Sequence, residues 1–179
     1  MHHRTASQNS EKITYLFEEV NTALKTKFGA DLLNAQIDYD FPVFEVSKSA
    51  VHDVLEFLKN DQAMVFSFLT TMCGSHFPEQ GEREFMLMYQ LHSLEKNQRI
   101  RIKTFMSIKD IEVPTATDLW KGANWMERET FDFYGFRFKG HPNLKRILNM
   151  DEMNYHPLRK QYPLEDGSRD DKADNYFGR

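Results

Sequence analysis

"FMLMYQLHSLEKNQRIRIKTFM", residues 85–106, decides the fold. Phe85, Leu87, Tyr89 and Leu91 recur at every second position, and after "SLEKNQ" (93–98) the same period returns at Ile100, Ile102, Thr104 and Met106. Alternate residues of a strand share one face, so the stretch predicts a β-hairpin with one buried side. Upstream, Ile13, Leu16, Phe17, Val20 and Leu24 follow helical spacing and predict an amphipathic helix ending near Gly29. Two short extended segments follow, "AQIDYD" (35–40) and "PVFEVS" (42–47). A second helix, capped by Ser47 or Ser49, carries Val51, Val54, Leu55 and Leu58 on one side. "AMVFSFLTTM" (63–72) reads as a buried strand, and "CGSHFPEQGE" (73–82), with Gly74, Pro78 and Gly81, as a loop.

Helices and hairpins interspersed without a strict strand–helix repeat predict an α+β fold. Its helices pack on one face of a mixed or mainly antiparallel sheet, and an extended C-terminal arm follows. The expected division is a disordered N-terminus at 1–10, a core domain at 11–112, a helix and turn completing that domain at 113–140, and the arm at 141–179. No apolar period lasts two turns beyond Gly140, and Pro142, Pro157 and Pro163 interrupt the chain there.

Composition narrows the function. The chain has 179 residues, 40% of them hydrophobic, enough for one sizeable core. Its 23 basic and 27 acidic residues leave a net charge of -4, which gives no general attraction to nucleic acid. Cys73 is the single cysteine, so neither a disulfide framework nor an iron–sulfur cluster is expected within the chain, and a reducing, intracellular setting fits best. "AMVFSFL" (63–69) falls well short of the roughly 20 apolar residues that span a bilayer. Contact with a membrane is therefore expected only through a partner.

Charge and aromatic residues concentrate in "NWMERETFDFYGFRFKGHP", residues 124–142. Asn124 and Glu127 have the spacing of a capping box, Arg128 and Asp132 that of an ion pair across one turn, and Gly135 sits where a left-handed C-cap is needed. Glu129 is left without a partner. No second site is visible that would raise one carboxyl pKa, so capping and ion pairing are favoured over acid–base catalysis. Gly135 and Gly140 have a phosphate-loop gap, but His141 and Pro142 stand where Lys and Ser or Thr belong. His141 and His156 lack zinc-site spacing and read as turn histidines, while Cys73 near His76 does not make a nucleophile–base dyad. From Gly140 onward, seven basic residues balance seven acidic ones. Leu144, Ile147, Leu148, Met150, Tyr155, Tyr162 and Leu164 are spread between the prolines, as in a segment lying along another protein.

These residues carry a resemblance. "VPTATDLWKGANWMERETFDFYGFRFKGHPNLKRILNMDEMNYHPLRKQYPLE", residues 113–165, resembles the signature region of the C subunit, or 30 kDa-type subunit, of proton-pumping NADH:quinone oxidoreductase, respiratory complex I. Its elements are "TDLW", "GANW", "ERE" with Asp132, the Tyr134–Gly135 pair, "GHP" with "RIL", and "HPLRK" with "YPL". The chain departs from the family pattern at Asp151 to Tyr155 and at Gln161. The resemblance implies a non-catalytic subunit that binds no cofactor. FMN, iron–sulfur clusters and quinone would lie elsewhere in the complex, with its D, B and I subunits as partners and the arm over the D subunit. It implies a peripheral location on the cytoplasmic face of a bacterial inner membrane; because no D-type sequence follows the arm, the D subunit is expected on a separate chain. Intersubunit contacts are then expected at Glu127, Arg128, Glu129, Asp132, Gly135, Gly140, His141, Pro142, Arg146, His156, Pro157, Arg159, Lys160, Tyr162 and Pro163. Three rival readings are the equivalent subunit of a ferredoxin-dependent quinone reductase or membrane-bound hydrogenase, a small hydrolase using Glu129, Asp132 and His141, and an RNA-binding adaptor using Lys145, Arg146, Arg159 and Lys160.

Overall fold

The computed structural model describes residues 3–163. In chain order it contains α1 (His3–Phe28), β1 (Leu32–Asp38), β2 (Phe41–Val46), α2 (Val51–Asn60), β3 (Phe68–His76), β4 (Phe85–Ser93), β5 (Gln98–Met106), β6 (Glu112–Pro114), α3 (Ala123–Tyr134) and β7 (Arg137–Lys139). Five strands form one sheet in the order β1-β2-β5-β4-β3, and β6 and β7 form a small parallel ladder. In the large sheet β2 runs parallel to β5, while the other neighbours are antiparallel. The architecture is thus the α+β arrangement expected, with a mixed, mainly antiparallel sheet.

The hairpin forms as its alternation dictates. Phe85 lies opposite Met106, Tyr89 opposite Ile102 and Leu91 opposite Ile100, and every one of the alternating set from Phe85 to Met106 is buried. Leu16, Val20 and Leu24 of α1 and Val51, Val54, Leu55 and Leu58 of α2 pack into the same core. At about 1.5–3 kcal/mol per fully buried large apolar side chain, this face supplies most of the drive to fold. The intervening positions of β4 and β5 stay partly accessible, so among the described residues the sheet keeps an uncovered second face.

Several expectations change. The first helix starts at His3, within the segment expected to be disordered. No Gly or Pro interrupts His3–Phe28, and extending a helix already nucleated by core packing costs little. The cap of α2 is Ala50, which offers no side-chain bond; Ser47 acts one turn earlier, its Oγ accepting from the Ala50 N–H at 3.3 Å. The strand expected at 63–72 lies instead at Phe68–His76. Met64 and Phe66 are buried without pairing, in a turn whose Ala63 and Met64 N–H groups donate to Asp61 Oδ1, so apolarity there marks core plugs. Gly74, expected in a loop, is mid-strand under α3. A Cβ on it would come within 2.8 Å of Phe136 and 3.0 Å of Thr130 and Tyr134, so only glycine lets the helix sit this close. Leu164 and the arm beyond it lie outside the described residues.

Candidate functional site

α3 is the element on which the 113–163 region converges. Its cap is Gly122, with no side-chain bond, so the predicted capping box does not form. Glu127 turns inward instead, fully buried, and accepts from Thr115 Oγ1 and the Ala116 N–H, each at 2.6 Å. Burial raises its pKa to about 7, against the opposing effect of those two donors. The carboxyl fastens the 115–117 turn to the helix, a long-range job the (i, i+3) pattern could not reveal. Arg128 and Asp132 do not pair across their turn either. Arg128 reaches the arm, donating to Lys145 O at 3.1 Å and Arg146 O at 2.8 Å.

Asp132 is the centre of the arm contact. Its buried carboxylate accepts from Arg146 Nη1 at 2.6 Å, from the N–H groups of Ile147, Leu148 and Asn149 at 3.1, 2.9 and 2.9 Å, and from Asn149 Nδ2 at 3.0 Å. Successive backbone N–H groups wrapped round one oxygen make an anion nest, here closed by a guanidinium. Burial alone would raise this pKa, but the donors from Asn149, Leu148 and Arg146 outweigh it and hold the group far below the ordinary carboxylate range. Arg146 continues outward, donating to Asp132 O, Met153 O and Tyr155 O.

The arm also closes the end of α3, where the last carbonyls of any helix lack internal partners. His156 Nδ1 lies 3.0 Å from Asp132 O, the Leu158 N–H donates to Phe133 O at 3.1 Å, and Arg159 Nε donates to Tyr134 O at 2.7 Å. Two guanidiniums at this negative helix end also suit its dipole. Gly135 is the left-handed C-cap expected, with φ of 83°. A Cβ there would strike Arg159 and come within 2.6 Å of His156. One further tie reaches the sheet, the Lys160 N–H donating to Nδ1 of His76, whose ring stacks on Phe85 at 4.4 Å.

Among the candidate residues, Asp132, Gly135, Arg146, His156, Arg159 and the Lys160 backbone meet at this one junction. His141 is a turn histidine, its Nδ1 accepting from the Asn143 N–H and its Nε2 3.2 Å from Asn124 O. Tyr162 lies against Tyr155. Pro142 and Pro163 are exposed, Pro157 is half-buried, and Gly140 holds φ of 86°. Glu129 is exposed on α3. Sequence reasoning misses Thr115, Asn149 and Gly74, because their partners are remote in sequence; it singles out His76, though for a different role. Cys73 and His76 point to opposite faces of β3, the thiol exposed and the imidazole buried. Partial desolvation and Glu129 push the thiol pKa up, against what a nucleophile needs. Asp132, with five donors, has no proton to give near neutrality. Among the described residues His52, Asp53 and Glu56 on α2 bring possible metal-ligand atoms within 4.8 Å of one another, but His52 Nε2 is already 2.9 Å from Asp118. No helix of the described residues is long and apolar enough to cross a membrane.

Comparison with known proteins places these elements in context. Residues 44–168 match the family model of the respiratory-chain NADH dehydrogenase, 30 Kd subunit. The C subunit of the NADH-quinone oxidoreductase of Citrifermentans bemidjiense is 38% identical over 82% of this chain and 89% of its own length. The C/D subunit of the Acinetobacter baylyi NADH-quinone oxidoreductase is 42% identical over 78% of this chain, which spans only 24% of that longer protein. Among solved structures, the trypsin-resistant fragment (1-134) of Nqo5 superposes with a TM-score of 0.60 at 25% identity, covering 73% of this chain and 98% of the fragment. A chain of an archaeal membrane-bound sulfane sulfur reductase shares the fold, with a TM-score of 0.67 at 24% identity over 82% of this chain and 85% of that one.

Proposed function

Since the chain belongs to the respiratory-chain NADH dehydrogenase 30 Kd subunit family, we propose that it is a structural subunit of the peripheral arm of a complex I. In this role it supports the quinone-reducing module in electron transfer from NADH to quinone coupled to proton translocation. It has no active site and no cofactor of its own; FMN, iron–sulfur clusters and quinone are held by other subunits. It works beside the D, B and I subunits, on the cytoplasmic face of a bacterial inner membrane, and meets that membrane only through the assembly.

The observation that carries this reading is the junction at Asp132. Asp132 is consumed in pinning the arm to the domain, while Glu127 holds the 115–117 turn, His141 is engaged in its own turn and Glu129 stands exposed. The pinned arm turns Leu148 and Met150 outward, 67% and 70% exposed, and Tyr155 and Leu158 remain accessible beside them. Large apolar side chains held out on an ordered segment are what a partner subunit buries. The C/D relatives support the D subunit as that partner, because there the two names fall on one chain.

A second reading is the equivalent subunit of a machine with another electron donor, favoured by the shared fold of the archaeal reductase chain. One experiment separates them. The chain is tagged in its host, membranes are gently solubilised, and the co-purifying proteins are identified by mass spectrometry. Flavin- and cluster-bearing subunits with NADH:quinone activity are expected. The same membrane subunits without an NADH-oxidising module select the second reading, and a chain running alone as a monomer removes both.

A further inference from the structure

We propose that the uncovered face of the five-stranded sheet is a second docking surface, taking an acidic segment of another subunit. The inference rests on the chain being one subunit of a larger assembly, and it concerns a face opposite the core and separate from the arm. Along β4 and β5 the residues between the buried ones point away from the core, among them Met86, Met88, Arg101, Lys103 and Phe105. Among the described residues no helix covers this side; the turn bearing Arg83 folds over one end, its guanidinium 4.3 Å from the Phe105 ring centre.

Charge chooses the occupant. The chain as a whole carries -4, yet this face holds Arg83, Arg99, Arg101 and Lys103 against the carboxylates of Glu45 and Asp38, with Glu129 close by at the Cys73 edge. Glu45 accepts from Arg83 at 2.7 Å and Asp38 lies 3.9 Å from Lys103, which leaves Arg99 and Arg101 without an acidic partner among the described residues. The local surplus is opposite in sign to the protein's own, so an acidic partner is steered to it, while the overall charge repels polyanions such as nucleic acid. Arg101 is also held in advance. Its guanidinium lies 4.1 Å from the Phe41 ring centre and its Nε donates to Gln90 Oε1 at 3.1 Å. An arginine already flattened on an aromatic ring loses little freedom on binding, and it keeps free N–H groups for a carboxylate. Met86 and Met88 supply adaptable apolar contact beside it. Five strands of six to nine residues, about 20–30 Å long at about 4.8 Å spacing, give a face of roughly 500 Å², less than the ~800 Å² per partner of a stand-alone complex. The area suits an additional contact inside an assembly.

The test is methionine oxidation. Dilute peroxide is applied to the full chain purified alone and to the assembled complex in gently solubilised membranes, and the tryptic peptides 84–96 and 147–159 are quantified. Several-fold slower oxidation of Met86 and Met88 in the assembly, together with protection of Met150 in the arm, is the expected result. Protection of Met150 with Met86 and Met88 oxidised equally in both samples overturns the proposal and leaves the scaffold role standing. Protection of neither peptide removes both. Zero-length carbodiimide coupling then names the occupant. Lys103 joined to an Asp or Glu of another subunit is expected, whereas linkage only to Asp38 of its own chain or to a second copy overturns the proposal. Charge reversal by Arg101→Glu with Lys103→Glu, at two partly accessible positions, is expected to release the chain from the assembly at lower salt than the unaltered protein, with far-UV circular dichroism confirming that the variant is folded. An unchanged salt midpoint overturns the proposal.

Discussion

The two halves of α3 each remove one carboxylate from water, and the surroundings drive them apart. Glu127, in the first half, is fully buried against the 115–117 turn with two donors and no cation, and its pKa rises to about 7. Asp132, in the second half, is as thoroughly buried but has five donors, one of them a guanidinium, and stays ionised far into acid. Burial sets only the cost of the charge; the number of fixed donors decides whether the charge is kept. The first half therefore joins the domain through a carboxyl that sheds its charge easily, and the second joins the arm through a permanent anion.

The largest test of that contrast is Asp132→Ala. It removes the carboxylate that neutralises Arg146 and strands three N–H groups, so a loss of about 3–5 kcal/mol is expected in urea unfolding, with trypsin cutting at Arg146 and Arg159 before the domain opens. Gly135→Ala follows. A left-handed φ and a Cβ pressed on His156 predict about 1–3 kcal/mol of destabilisation, read in the same assay.

Next comes pH. Glu127 binds its proton more tightly folded than unfolded, so its contribution to stability is present below about pH 4.5 and is lost as pH rises through about 7. Glu127→Gln keeps an acceptor for Ala116 N–H and is expected to abolish a loss on the order of 3 kcal/mol across that window, measured by urea midpoints at several pH values. The arm behaves oppositely. Burial lowers the His156 pKa, so its contribution is present above the ordinary histidine value of about 6.5 and is lost as pH falls through the lower folded value; Asp132 lets go only in much stronger acid. Arm cleavage by protease should rise on mild acidification while Glu127 holds its turn. Parallel loosening of both halves would break the contrast. Smallest in stability is Glu129→Ala, within about 0.5 kcal/mol because the side chain is exposed. The same change is expected to lower the amount of assembled complex on a native gel, which separates contact with a partner from folding.

What the sequence discloses follows distance along the chain. The hairpin is legible because alternation needs only neighbours, and Gly135 because a C-cap is a local device. The roles of Glu127 and Asp132 are not. Local patterns offer them Asn124 and Arg128, yet their partners stand at Thr115 and at Arg146 to Asn149, chosen by tertiary packing. The stretch at 63–72 misleads for a related reason, since Met64 and Phe66 are as apolar as a strand but plug the core from a turn. The resemblance in 113–165 identifies the family although local spacing assigns several of its residues the wrong partners.

The closure of α3 by the arm has a consequence in time. Its last carbonyls and the Asp132 carboxylate are satisfied only by residues as far on as Arg159, so the helix cannot be finished when its own residues have been made. At roughly 5–20 residues per second of synthesis, the chain from Gly135 to Lys160 takes about 1–5 s to appear, and throughout that interval the helix end stands open on the ribosome. The nascent chain thus acquires its outward-facing apolar arm after the helix, at the same moment that the helix's own polar groups are satisfied.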